Sequence, residues 1–171
     1  MNSIFHNTTI QDFIKKIALT IVQQNKQLAE VAIVGLQPRG VSFSEKLFAE
    51  IQALNPTTIY KHGKLDITFF RDDIRKELHK ATSTEINFDV EEKKVILCDD
   101  VLYTGRTIRA GLDALLSFGR PKNVELCVLI DRKNSRELPI QPNYVGVEVD
   151  AYTDKKVKVT WHNNECQVFV D

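Results

Sequence analysis

Hydrophobic positions along the chain follow two periods in alternation. Ile10, Phe13, Ile14, Ile17, Ile21 and Leu28 recur on one helical face and predict a helix over about 10–28. Thr8, with Gln11 three residues on, has the form of a capping box at its start. Val31–Leu36 is short, apolar and rich in β-branched side chains, the pattern of a buried strand. Gln37-Pro38-Arg39-Gly40 breaks the chain, and Leu47, Phe48, Ile51 and Leu54 then restore a helical stripe over 41–54. From Lys64 to Phe70, Leu65, Ile67 and Phe69 alternate with Asp66 and Thr68, which predicts a strand with the three apolar residues on one side. Residues 71–93 are polar and aperiodic. A loop of about 20 residues in a compact domain is either a mistaken assignment or a functional lid.

Lys94–Cys98 reads as a buried strand that ends at Asp99-Asp100. A helix over 106–118 turns Ile108, Leu112, Leu115 and Leu116 inward and is stopped by Gly119 and Pro121. Val124–Ile130 is another apolar strand. Strand, helix, strand, helix, strand predicts an α/β fold, a mainly parallel sheet with helices on its faces. Near the end, Val157, Val159 and Trp161 alternate, 162–165 turns, and Cys166, Val168 and Val170 alternate again. That is an antiparallel hairpin, at an edge or in an added small sheet.

The length of 171 residues suits one domain spanning 1–171. With 43% hydrophobic and 27% charged residues the chain has the balance of a folded globule, not of a disordered one. No apolar run approaches the roughly 20 residues of a membrane-spanning helix, and the first residues lack a secretory leader, so no membrane partner is expected. The 23 Lys and Arg balance 23 Asp and Glu, which argues against a strongly basic nucleic-acid binder. Cys98, Cys127 and Cys166 are odd in number, far apart and set in apolar runs. They read as buried, reduced thiols of a cytoplasmic protein.

The most informative stretch is Val95-Ile96-Leu97-Cys98-Asp99-Asp100-Val101-Leu102-Tyr103-Thr104-Gly105-Arg106-Thr107. Ligands of open parallel sheets collect beyond the carboxyl ends of strands, and a helix start offers unpaired N–H groups to an anion. Gly105 permits close approach of backbone to a phosphate, Thr104 and Thr107 supply hydroxyls, and Arg106 supplies charge. Asp99 and Asp100 repel phosphate but accept hydrogen bonds from vicinal sugar hydroxyls. The pair and the cradle together read as a ribose 5-phosphate site; the plainer alternative is two solvated acids before a routine helix start. No P-loop occurs, since Gly35–Gly40 lacks the required Lys-Ser/Thr, and no G-x-G-x-x-G is present.

Asp99–Thr107 resembles the phosphoribosyl-pyrophosphate motif of type I phosphoribosyltransferases. More narrowly, the chain resembles the pyrimidine-operon attenuator/uracil phosphoribosyltransferase family. Asp66–Asp73, Val128–Arg132, Arg136–Ile140 and Asn143–Gly146 carry that narrower match. The resemblance implies a type I phosphoribosyltransferase fold with a small C-terminal antiparallel hairpin or hood, and a mobile loop at about 71–93. It implies that Asp99 and Asp100 hold the ribose hydroxyls, with Mg2+ held mainly by substrate and by these two acids. Tyr103, Thr104, Gly105, Arg106 and Thr107 would wrap the 5′-phosphate. Pro38, Arg39 and Gly40 would form the pyrophosphate loop, Arg39 facing the leaving group, although a surface turn arginine is an equal reading of that residue alone. The superfamily favours a cis Gln37–Pro38 bond there, whereas base rates for proline favour trans. Arg71 would add charge from the lid, and Asp131, Arg132 and Leu138 would meet the base.

The implied reaction joins uracil to phosphoribosyl pyrophosphate, giving UMP and pyrophosphate, in a homo-oligomer of two or more chains. The alternatives are an RNA-binding attenuator of pyrimidine genes that responds to UMP, a transferase for another base, and a nucleotide-binding protein without turnover. The sequence departs from the family pattern at Lys133-Asn134-Ser135, one residue longer than the usual Gly-His, and at 149–152. Leu19 and Gln141 stand where polar and arginine contacts to messenger RNA are expected. A basic cluster of Arg132, Lys133, Arg136, Lys155, Lys156 and Lys158 remains the candidate RNA face, against the simpler reading of a solvated charged surface.

Overall fold

The computed structural model describes residues 2–58, 60–72, 82–150, 156–162 and 165–170. In chain order these form β1 (Asn2–Phe5), α1 (Asn7–Gln24), β2 (Val31–Leu36), α2 (Arg39–Leu54), β3 (Lys61–Leu65), β4 (Lys94–Leu102), α3 (Arg106–Leu116), β5 (Asn123–Lys133), β6 (Tyr144–Asp150), β7 (Val157–His162) and β8 (Glu165–Val170). Short 3-10 turns occur at Leu28–Glu30 and Thr68–Phe70.

A five-stranded parallel sheet, ordered β3-β2-β4-β5-β6, forms the centre. Its strands are nearly continuous apolar runs because both faces are covered. On one face, α1 and α2 bury Ile10, Ile14, Ile17, Ile21, Phe43, Leu47 and Ile51. A separate antiparallel sheet, ordered β1-β8-β7, joins the same core through Val159, Cys166 and Val168. On the other face α3 buries Ile108, Ala110, Ala114 and Leu115 against Val34, Leu36 and Leu97. The three cysteines are buried free thiols.

Several expectations change. Helix α1 starts at Asn7, so Thr8 is already helical and no capping box forms; no side chain caps this end. Asn7 instead accepts a hydrogen bond from the Cys166 amide at 3.0 Å, which fastens α1 to β8. The strand expected over 64–70 occupies 61–65 and then turns. The cause is Asp66, whose Oδ1 accepts from the Thr68 amide and hydroxyl at 2.9 and 2.6 Å and bends the chain out of the extended form. Leu65 and Ile67 are buried as expected, whereas Phe69 is left 81% exposed. Strands β4 and β5 run past their expected ends, so Asp99 and Asp100 lie within β4 and Asp131 and Arg132 within β5. Of the loop expected at 71–93, residues 73–81 lie outside the described residues, and the lid reading falls largely on them. Residues 82–93 are irregular apart from a bridge of Glu85 to Lys64.

Candidate active site

The carboxyl ends of β2, β4 and β5 gather most of the expected residues. Asp99 and Asp100 are each 5% exposed. The Asp100 amide donates to Asp99 Oδ1 at 3.0 Å, and the Val101 amide donates to Asp100 Oδ1 at 2.8 Å. Burial pushes the Asp99 carboxyl well above its ordinary range, and the charge of Asp100 adds to it. Burial raises Asp100 too, against the opposing pull of Arg39. Two acids in so little water favour a shared proton until a hydroxyl-rich or cationic ligand replaces it.

The turn after β2 rests on this pair. Gln37–Pro38 is cis, and Arg39, exposed, opens α2. Gly40 is buried against β4, where a Cβ would stand 2.4 Å from the Cys98 carbonyl oxygen. On the other flank, β4 passes through Tyr103 and Thr104 into α3. Gly105 makes that turn with φ +93°, and no side chain caps the helix start. The Arg106 amide makes only a long bond to the Thr104 hydroxyl at 3.4 Å, so the first amides are weakly held and can turn to an anion. Thr107 is half-buried in the first helical turn.

Residues 131–140 buttress the turn from behind. The Thr104 carbonyl accepts from the amides of Glu137 and Leu138 at 3.0 and 3.2 Å. Asp131 is buried and ion-paired with Arg136. Arg136 further donates to the carbonyls of Tyr103 at 2.7 Å, Arg132 at 3.0 Å and Ile140 at 3.0 Å. The Arg132 guanidinium lies 4.0 Å from the centre of the Tyr103 ring. The unusual Lys133-Asn134-Ser135 insertion is absorbed by Asn134 at φ +61° and by the Ser135 hydroxyl, which donates to the Arg132 and Tyr103 carbonyls at 2.7 and 3.3 Å. Asparagine tolerates that backbone better than most residues.

Arg106 points away from an isolated-phosphate role. Its Nε donates to Glu137 at 2.5 Å and its Nη1 to Asp72 at 2.7 Å. Arg109 adds a bond to the Phe70 carbonyl at 3.0 Å, so α3 holds the segment that leads up to half-buried Arg71. The sequence reading missed Arg136 as a site residue and Asp72 as the partner of Arg106. The signal available was the closely spaced Asp131…Arg136 pair, which has two meanings until the strand end is known.

The expected basic cluster is not assembled from free cations. Lys133 pairs with Glu148 at 2.7 Å, and Arg132 and Arg136 are committed to the Tyr103 side. Lys155 lies outside the described residues. A cavity of about 660 Å3 occurs at the opposite, amino ends of β2, β4 and β5, lined by Asn25, Val31, Lys94 and Asn123 among others. It lacks the acid pair and the helix start that stand at the carboxyl ends.

Comparison with known proteins gives the family. The Phosphoribosyl transferase domain family matches residues 1–163. The chain belongs to the phosphoribosyl transferase family. Its relatives include the "Bifunctional protein PyrR" of Deinococcus deserti, 42% identical over 88% of this chain and 82% of that protein. The PyrR protein of Endomicrobium trichonymphae is 44% identical over 86% of each chain. Among solved structures, a hypoxanthine-guanine phosphoribosyltransferase from Bacillus anthracis superposes with a TM-score of 0.71, at 18% identity over 92% of this chain and 85% of that one. That likeness shows that the phosphoribosyltransferase fold is shared. Among the described residues no helix is long and apolar enough to cross a membrane.

Proposed function

We propose that this phosphoribosyltransferase transfers the ribosyl 5-phosphate of phosphoribosyl pyrophosphate to N1 of uracil, releasing pyrophosphate and forming UMP. The observation that carries the reading is the buried Asp99–Asp100 pair between the Gly40 turn and the open start of α3. Asp99 and Asp100 accept the ribose hydroxyls. The amides from Gly105 to Thr107, with the Thr104 and Thr107 hydroxyls, bind the 5′-phosphate. Pro38, Arg39 and Gly40 receive the pyrophosphate, and Arg39 and Arg71 stabilise its charge as it leaves. Tyr103, braced by Arg132 and Arg136, and Leu138 shape the base side, with Asp131 holding Arg136 in place. No enzyme nucleophile is needed; the residues orient two substrates and stabilise the departing anion.

The donor set fits Mg2+. Two carboxylates stand at the site, and no group of three or more metal-ligating side chains occurs among the described residues. That suits a hard cation held chiefly by substrate oxygens, with Asp99 and Asp100 assisting. When bound, Mg2+ neutralises pyrophosphate charge. Association into dimers or larger assemblies belongs to the same proposal, with exposed Leu19, Leu54, Leu116 and Phe118 supplying apolar surface; light scattering tests it.

The deciding assay offers purified protein, Mg2+ and phosphoribosyl pyrophosphate with uracil, hypoxanthine, guanine or orotate in turn. UMP formation is expected. Turnover with a purine alone would remove uracil and keep the transferase.

The relatives' name "Bifunctional" supports a second role, binding of pyrimidine-operon messenger RNA under control of UMP. Exposed Lys15 and Lys16 on α1 and Lys156 and Lys158 at β7 are its available cations. Filter binding to leader RNA at rising salt tests it, and affinity equal for unrelated RNA would reject it.

A further inference from the structure

Asp66 closes a ring in the chain. Its Oδ1 accepts from the Thr68 amide and hydroxyl, and its Oδ2 accepts from the Thr82 amide at 2.8 Å. One carboxylate thus holds residues 68 and 82 together. The returning chain is fastened beside it. The Asp66 amide donates to the Thr84 hydroxyl at 3.0 Å, and Lys64 and Glu85 exchange backbone bonds at 3.0 and 2.8 Å. Ser83, between the fastened residues, offers its carbonyl to Gln37 Nε2 at 2.7 Å. The Gln37 amide donates to the Leu65 carbonyl at 2.9 Å. Gln37 heads the cis-proline turn whose Gly40 lies against Asp99. Contacts therefore run without a gap from Asp66 through Ser83 and Gln37 to the acid pair. Burial by itself would raise the Asp66 carboxyl, but the bonds from Thr68 and Thr82 outweigh it and hold it below the ordinary value, so the clasp is charged at neutral pH.

We propose that Asp66 is a positioning residue that sets the Gln37–Gly40 turn for the pyrophosphate-bearing substrate without touching sugar or base. The inference rests on reading that turn as the pyrophosphate side. Phe69 and Arg71 leave the same clasp, but the route to the acid pair runs through Ser83, so the effect falls on the pyrophosphate ligand and not on the base.

Asp66→Asn keeps an acceptor for Thr68 but turns an amide group toward the Thr82 N–H, donor against donor. Calorimetric titration with phosphoribosyl pyrophosphate and Mg2+, without any base, should show binding about tenfold weaker than in the unaltered protein. The uracil KM at saturating phosphoribosyl pyrophosphate should stay within about twofold, a selectivity that general loosening does not produce. Gln37→Leu should give the same selective loss, and the double variant should be no weaker than the worse single one, because members of one network do not add. Should Asp66→Asn fail to fold, Thr68→Val takes its place in the cycle, with a weakening of about threefold expected. Unaltered protein that binds no phosphoribosyl pyrophosphate would refute the assignment of the site. Normal binding by the variants, additive losses, or equal losses for both substrates would refute the clasp alone.

Discussion

A methyl group placed on Gly40 would stand 3.2 Å from Asp99 Oδ1 and 2.4 Å from the Cys98 carbonyl oxygen. The turn after β2 therefore rests directly on β4, with no room for a side chain between them. Gly40→Ala must move backbone, not the tip of a flexible side chain. Overpacking of this kind costs about 1–3 kcal/mol. Urea unfolding should show that loss, and the KM for phosphoribosyl pyrophosphate should rise at least about tenfold as the turn leaves the acid pair. A variant with normal stability and normal KM would mean that the contact has slack.

The acid pair also makes a pH prediction. Asp99 and Asp100 hold their protons more tightly folded than unfolded, first because of burial. Above the ordinary carboxylate value of 3.8 the folded state therefore binds more protons than the unfolded one, and stability falls as pH rises. Asp66 acts in the opposite sense and in another window, its depressed pKa removing stability only as pH drops below 3.8. Thermal melts of the ligand-free protein should show Tm declining from about pH 4.5 to pH 7. Asp99→Asn should flatten that slope and gain about 1 kcal/mol at neutral pH. The same substitution should lower transfer on the order of a hundredfold. An unchanged slope would show that the pair is solvated in solution.

Asp131 and Arg136 form the buttress behind Tyr103. Arg136→Ala leaves a buried carboxylate without its cation, which is expected to destabilise by about 3 kcal/mol. Asp131→Asn combined with Arg136→Met removes both charges and should recover much of the stability. It should not recover activity, because the Tyr103, Arg132 and Ile140 carbonyls lose their common donor. Chemical denaturation of the single and double variants checks the first claim, and UMP formation checks the second.

The thiols offer a simpler test. Cys98, Cys127 and Cys166 are all buried and free, and burial pushes Cys166 up to about 12, with the charge of Asp100 adding to it. At pH 9 Cys166 therefore stays a thiol, the unreactive form. An aromatic disulfide reagent should find no fast-reacting thiol in the native protein and all three after denaturation. Rapid native labelling would show that the sheet of β1, β8 and β7 opens readily.

Local pattern alone determined much of this protein. The run Val31–Leu36 coincides with β2, the 41–54 stripe lies inside α2, and the order of the parallel elements follows from apolar periods that each segment carries in itself. The arrangement of Asp99–Thr107 was legible for the same reason, since a strand, a glycine turn and a helix start are neighbours in the chain. Tertiary structure decided what depends on distant partners. Strand β1 exists because β8, from the far end of the chain, pairs with it, and β6 because β5 lies alongside. Phe69 faces water because Asp66 captures Thr68, and Asp131 serves Arg136 because both reach the end of β5 together. Periodicity records which side of an element is apolar. Which carboxylate meets which cation is set only when the sheet closes and burial makes an unpaired charge too unfavourable to keep.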